Sequence, residues 1–245
     1  MTVLLPRLQA RRLTVGGERF YEVEGTLYPS VSAVLSTVAK PGLAAWARRT
    51  ALEKVRELLA QGVDVATALA LAEREPERVR DVAARRGAAV HEDIALALAG
   101  HPSPPETAPW VEAARRFLDD FGLRPVASEL VVVSKRHGFA GTCDTLAQCA
   151  GALYVLDWKT TGALWPEAAL QVAGYAIALE ELTGREVQGA LVVRLDETGR
   201  YEVRGVHLPL AQEGFLAALS LWRALRGELY GRPPMGEPLQ EGAHG

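Results

Sequence analysis

The apolar positions along the chain change character at about residue 125. Before it they recur with helical spacing, and after it they come in short β-branched runs. At the start, Arg12-Leu-Thr-Val15 and Arg19-Phe-Tyr-Glu-Val23 flank Gly16-Gly17, which predicts a hairpin. Tyr28-Pro29-Ser30 then opens a helical stretch with Ser30 as N-cap, and Pro41-Gly42 breaks it. Leu43, Trp46, Leu52, Val55 and Leu59 form the apolar stripe of a helix reaching Gln61. Asp64 caps a short helix to about Arg74, and Pro76 suits the first turn of a further helix that Gly100 closes. After a Pro-rich loop, one more helix runs from about Pro109 to Gly122.

Beyond Pro125 the reading is β-β-β-α-β. Strands are predicted over 128–134, 139–148 and 153–159, then a helix from Pro166 to Thr183-Gly184, then a strand over 187–195. A fifth strand over 201–206 and a last helix from Pro209 to about Tyr230 complete the set. The expected fold class is α/β, a mixed sheet flanked by helices, with a helical N-terminal region. Three segments are expected: residues 1–124 as a hairpin and helical region, 125–230 as the core that carries the chemistry, and 231–245 as a flexible tail.

Composition narrows the function classes. In 245 residues, 49% are hydrophobic and the net charge is −3, which fits an ordinary globular chain and excludes a polybasic nucleic-acid-coating protein. No apolar run approaches the roughly 18 residues of a membrane span. The first twelve residues carry no secretory signal pattern, so a cytoplasmic protein is expected. Two cysteines, Cys143 and Cys149, exclude both a disulfide framework and a four-thiolate metal centre supplied by this chain. With 23 arginines but only four lysines, each lysine in a polar constellation is informative.

One such constellation closes the third core strand, Leu156-Asp157-Trp158-Lys159-Thr160. Alternation places Asp157 and Lys159 on one face and Trp158 on the other. A carboxylate and an ammonium half-buried at a strand end are costly. They make sense where the carboxylate serves a divalent cation and the ammonium stands beside it. Taken alone, D-x-K is common on surface strands. Asp144, in Gly141-Thr-Cys-Asp144, lies on the preceding strand, and a tight hairpin brings it toward Asp157 if the register allows. Two adjacent carboxylates repel, and a hard cation such as Mg²⁺ or Mn²⁺ removes that penalty. Gln171 and Tyr175 share a helix face at i, i+4. His91 sits among Ala84, Gly87, Ala88 and Ala95, a small-residue face that allows close packing. It reads equally as a structural histidine or as a ligand. Glu129 on the first core strand is a further carboxylate.

Taken together, His91, Glu129, Gly141-x-x-Asp144, Asp157-x-Lys159-Thr160 and Gln171-x-x-x-Tyr175 resemble the motif series of the PD-(D/E)XK nucleases, specifically their RecB-like exonuclease branch. Tyr28-Pro-Ser-Val-Ser32, Lys40-Pro41 and Trp46 more loosely resemble the entry segment of phage-type and mitochondrial-genome-maintenance exonucleases. The resemblance implies a restriction-endonuclease-like core and Mg²⁺- or Mn²⁺-dependent hydrolysis of DNA. It implies metal ligation by His91, Asp144, Asp157 and the backbone carbonyl of Trp158. Lys159 would orient or activate the attacking water, with Gln171 and Tyr175 positioning Lys159 or the strand and Glu129 as an added carboxylate. Iron–sulfur members of the branch are excluded by the cysteine count.

The chain has no P-loop, so unwinding falls to a helicase or recombination partner or to pre-existing ends. Arg85, Arg86 and Thr160 are expected to contact the strand. A short, locally basic channel lined by aromatics such as Trp46, Trp158 or Trp165 is expected, where bases of a single strand stack. The expected activity is an exonuclease on single strands or ends. A structure-specific endonuclease and a catalytically silent nucleic-acid-binding subunit are the alternatives.

Overall fold

The computed structural model describes residues 8–227, together with Leu5 and Leu229. The predicted tail, 231–245, lies outside the described residues. Strand β1 (Ala10–Val15) pairs antiparallel with β2 (Glu18–Val23), and β3 (Thr26–Pro29) extends this small sheet. The β1–β2 turn uses Gly16 and Gly17, both at positive φ, as the two-residue turn that matches strand twist requires. Tyr28 and Pro29 finish a strand and do not begin a helix. The helix starts one residue later, where the Ser30 hydroxyl accepts the Ala33 N–H at 3.0 Å and caps α1 (Val31–Val34).

Helix α2 (Pro41–Ala60) leads into α3 (Val65–Leu98), whose N-cap Asp64 accepts the Thr67 N–H at 3.1 Å. Here the expectation of two helices is corrected. Pro76 lies inside a single 34-residue helix. Proline forgoes one N–H bond and costs about 3 kcal/mol in a helix interior. The Ala-, Leu-, Glu- and Arg-rich flanks, and packing of Ala68 and Ala72 into the interior, offset that cost. At about 1.5 Å per residue, α3 is about 50 Å long. It reaches from the α2 hairpin to the central sheet.

After α4 (Ala108–Asp120) come β4 (Arg124–Ser134), β5 (Phe139–Cys149) and β6 (Ala152–Lys159), then α5 (Pro166–Thr183), β7 (Val187–Leu195), β8 (Tyr201–Gly205) and α6 (Leu208–Ala224). The five strands stand in the order β4-β5-β6-β7-β8. Only β6 and β7 are parallel, joined by the α5 crossover. Both faces of the sheet are covered, which explains why Val131-Val132-Val133 and Leu153 to Leu156 read as continuous apolar runs. On one face, Phe139, Leu146 and Val155 pack with Val172, Leu179, Phe215 and Leu219 of α5 and α6. On the other, Leu156, Trp158 and Val193 pack with Val90, Ile94, Trp110 and Phe117 of α3 and α4. The small sheet is joined to the large one by a parallel bridge between Ser30 and Ala140, with Tyr21 and Val23 packed on Val133 and Ala140. Among the described residues, no helix is long and apolar enough to cross a membrane.

Candidate active site

The β5–β6 register runs through Thr145↔Leu156, so the next cross-strand position sets Asp144 beside Asp157. On the other side of β5, Ser128 pairs with Thr145 and Leu130 with Cys143, which sets Glu129 opposite Asp144. Three carboxylates therefore stand in a row across three adjacent strands. Glu129 occupies this row with φ +48, a left-handed conformation rare for a residue with a Cβ. From the helical side, α3 presents His91, whose Nδ1 lies 3.3 Å from Asp144 Oδ2. Gly87, one turn before it, faces the end of β6: a Cβ there would meet Thr160 Oγ1 at 3.4 Å, an ordinary contact.

Asp144 is buried, and its Oδ2 also accepts the Trp158 backbone N–H at 2.9 Å. The Trp158 side chain points the other way. It is 1% exposed, meets Phe117 edge-on and donates its ring N–H to Thr145 Oγ1 at 3.0 Å. Asp157 is fully buried, with Lys159 Nζ 2.6 Å from its Oδ2. That contact is a close ion pair, and Asp157 Oδ1 has no hydrogen-bond donor of its own. Lys159 also donates to Gln171 Oε1 at 3.3 Å, and Gln171 Nε2 donates to the Tyr175 hydroxyl at 2.9 Å. The i, i+4 pair on α5 thus forms a chain ending on the lysine.

Gly141 makes room for that chain. A Cβ at 141 would lie 2.7 Å from the Tyr175 ring. Gly141→Val is expected to destabilise the fold by about 1–3 kcal/mol through overpacking. It should also push Tyr175 off Gln171, and a lower melting temperature than wild type checks the overpacking.

The charges in the site are strongly coupled. Burial works to raise the Asp144 pKa, but His91, Lys159 and the Trp158 N–H together hold it below the usual carboxylate value. Burial raises the Asp157 pKa and the Asp144 charge adds to it, against the charge and contact of Lys159 and the charge of His91. The net result is an Asp157 pKa raised to about 6. Burial works to lower the His91 pKa, but the Asp144 charge and contact outweigh it and raise the value to about 9. Burial likewise opposes the Lys159 charge, and Asp157 and Asp144 outweigh it, keeping the ammonium protonated. Burial and the two Asp charges hold the Tyr175 hydroxyl protonated.

A stability prediction follows for the metal-free protein. His91 is raised in the folded state, so its contribution is fully present below its ordinary value of 6.5 and is lost as pH rises through about 9. Thermal melts in EDTA should show stability falling across that window. Asp144→Asn should flatten the fall; an unchanged slope would contradict the His91–Asp144 pairing.

The residues present fit a divalent cation. His91, Glu129 and Asp144 each offer a ligand atom, and these three atoms lie within 4.8 Å of one another. Asp157 stands outside that grouping, its Oδ2 turned to Lys159, yet its buried Oδ1 is the kind of orphaned acceptor a cation satisfies. Carboxylate oxygens with one imidazole suit Mg²⁺ or, better, Mn²⁺.

The site opens into a cleft of about 940 Å³ that includes His91, Glu129, Asp144, Gln171 and Tyr175. Its basic residues are Arg12 and Arg19 of the N-terminal hairpin, more than a hundred residues from Asp144 in sequence. Nothing in their local pattern marks them. Neither Arg85 nor Arg86 lines the cleft: both are exposed on α3, and the Arg86 guanidinium sits 5.9 Å over the Trp110 ring. The expected tryptophan-lined channel is also corrected. Trp158 is in the core, Trp46 lines a separate cavity of about 370 Å³ with Lys40 and Pro76, and Trp165 lies against Gly42. The aromatic residues of the cleft are Tyr21 and Tyr175.

No curated protein matches the chain. Among solved structures it is similar to SSO0001, with 12% identity over 47% of this chain and a TM-score of 0.31, and it spans 56% of that chain's length. It is also similar to the alkaline exonuclease LHK-Exo from Laribacter hongkongensis, with 18% identity over 58% of this chain and 89% of that one, at a TM-score of 0.29. The same enzyme in complex with dAMP gives 19% identity, the same coverage and 0.29. The family profile reaches much further along the chain. It spans residues 44–229, and so takes in His91 on α3, the carboxylate row on β4 to β6, Lys159, and the Gln171–Tyr175 pair. The protein whose sheet assembles these groups belongs to the PD-(D/E)XK nuclease superfamily.

Proposed function

We propose that the protein is a divalent-metal-dependent DNA exonuclease acting on single strands or DNA ends in repair, recombination or phage replication. The observation that carries this reading is one contiguous cluster: His91 and Asp144 line the cleft, and the strand register sets the buried Asp157, paired with Lys159, directly beside Asp144. His91, Asp144 and Asp157, with Glu129 at the rim and the Trp158 carbonyl, would hold the ion. Bound there, Mg²⁺ or Mn²⁺ would supply Lewis-acid stabilisation of the charge gathering on the phosphoryl oxygens.

The chain's own groups do the rest. Asp157 and Gln171 hold the Lys159 ammonium from two sides. There it can guide the attacking water and place positive charge where the transition state becomes more negative. Tyr175 fixes Gln171, so it acts on the lysine at one remove. Residues 1–124 contribute His91 and one wall of the cleft, and residues 125–230 contribute the carboxylates and Lys159. Thr160, against Gly87 at the end of β6, would contact the strand beyond the scissile bond. A net charge of −3 and two cleft arginines favour a short grip on a strand or an end over wrapping a long duplex.

The test compares end-labelled linear single strands, linear duplex and covalently closed single-stranded circles, each in Mg²⁺, Mn²⁺ or EDTA. Degradation of the linear substrates from their ends with intact circles is expected. Cut circles would overturn the exonuclease reading in favour of an endonuclease. No cleavage with either metal would favour a catalytically silent subunit.

A further inference from the structure

The β1–β2 register pairs Arg12 with Tyr21 and Thr14 with Arg19, so Arg12 and Arg19 are diagonal neighbours on one face of the hairpin. The opposite face carries its own contacts. There Arg11 pairs with Glu22 at 2.6 Å, and the Phe20 ring packs on Trp222 at 6.1 Å. Among the described residues, no ion pair involves Arg12 or Arg19, and both are exposed at the cleft.

Their backbone is nonetheless rigidly tied to the strand that carries Asp144. The Tyr21 hydroxyl bonds Thr142 Oγ1 at 2.8 Å, two residues from Asp144. The Ser30 N–H donates to the Arg19 carbonyl at 3.0 Å, and Ser30 bridges Ala140. One wall of the cleft therefore carries two guanidinium groups that hold no ion pair among the described residues and act on Glu129 only as longer-range charges. The other carries the His91, Glu129 and Asp144 cluster. Guanidinium is always charged and its planar fork matches phosphate oxygens. A strand bearing one negative charge per nucleotide satisfies both walls at once: the scissile phosphate at the carboxylate side and its neighbours at the arginines.

We propose that Arg12 and Arg19 are positioning residues that grip the backbone phosphates flanking the scissile bond, so that the N-terminal hairpin sets where along the strand hydrolysis occurs. This rests on the nuclease reading above.

The test is fluorescence anisotropy of a short labelled oligodeoxynucleotide in EDTA, across a salt series, for wild type, an R12Q/R19Q variant and an R12K/R19K variant. Loss of two phosphate contacts should weaken R12Q/R19Q by about tenfold or more and reduce the log–log salt slope by about 1.4, since each single-strand contact contributes about 0.7. R12K/R19K should keep most of the slope, because its charges remain. In turnover, R12Q/R19Q should raise KM more than it lowers kcat, with Mn²⁺ affinity by calorimetry unchanged. Should R12Q/R19Q fail to fold, R12Q alone should show half the slope change. A folded R12Q/R19Q with wild-type affinity and slope, or a wild type that binds no oligonucleotide, would overturn this inference. Absence of hydrolysis with any metal would overturn the nuclease reading instead, and the anisotropy series would still decide the role of the hairpin.

Discussion

Lys159→Ala is expected to lower the rate of phosphodiester hydrolysis by about 10²–10³-fold or more, the loss found when a single preorganised group facing transition-state charge is removed. The prediction follows from how the ammonium is held. Lys159 is 22% exposed at its side chain, 2.6 Å from Asp157 Oδ2 and 3.3 Å from Gln171 Oε1. It is therefore preorganised at the end of β6, where little reorganisation is needed during the reaction. Ground-state binding of the strand should change far less than kcat. The same substitution removes the closest counter-charge of a fully buried carboxylate, and breaking a buried pair costs about 3–5 kcal/mol. Lys159→Ala should therefore melt earlier in EDTA and regain stability when Mn²⁺ is added. A variant that keeps the wild-type rate, or that is dead because it does not fold with metal present, would contradict the role given to Lys159.

Asp144→Asn should be at least as damaging. Asp144 is the hub of the site: it faces His91 at 3.3 Å, receives the Trp158 N–H at 2.9 Å and stands between Glu129 and Asp157 in the strand register. Asparagine keeps the shape and, through its carbonyl oxygen, can still accept the Trp158 N–H, so the fold should survive. What goes is the charge. Mn²⁺ affinity should fall by more than about 100-fold, beyond the 10–100-fold typical for loss of a supporting partner of a ligand. Hydrolysis should fall below detection, and the His91 pKa should drop back toward its ordinary value once its carboxylate partner is neutral. Calorimetry with Mn²⁺ and NMR titration of His91 read the two effects separately. Retained metal affinity would place the ion elsewhere.

The carboxylate row and the lysine were readable in the sequence because they depend on local rules. Strand alternation puts Asp157 and Lys159 together, a two-residue hairpin turn sets β5 against β6, and i, i+4 spacing aligns Gln171 with Tyr175. Caps were readable for the same reason, as Ser30 and Asp64 show. Pro76 misled because a proline signal is local while the fate of a helix depends on its flanks and its packing. The left-handed Glu129 carries no sequence mark, since such backbone is ordinarily left to glycine. Arg12 and Arg19 were unreadable for another reason. They reach the cleft only because Tyr21 and Ser30 dock the small sheet on β5, a contact between segments about a hundred residues apart. Arg85 and Arg86 lie near His91 in sequence, but the helix turns them away from the cleft it lines.

The central claim is that this carboxylate–histidine–lysine cleft hydrolyses phosphodiester bonds with a divalent cation. It is tested most directly by release of labelled nucleotide from an end-labelled single strand, measured in Mn²⁺, after EDTA, and after Mn²⁺ is restored in excess. The structure predicts cleavage in Mn²⁺, none in EDTA, and recovery on restoration. Cleavage that persists undiminished in EDTA, or none in Mn²⁺, would contradict it.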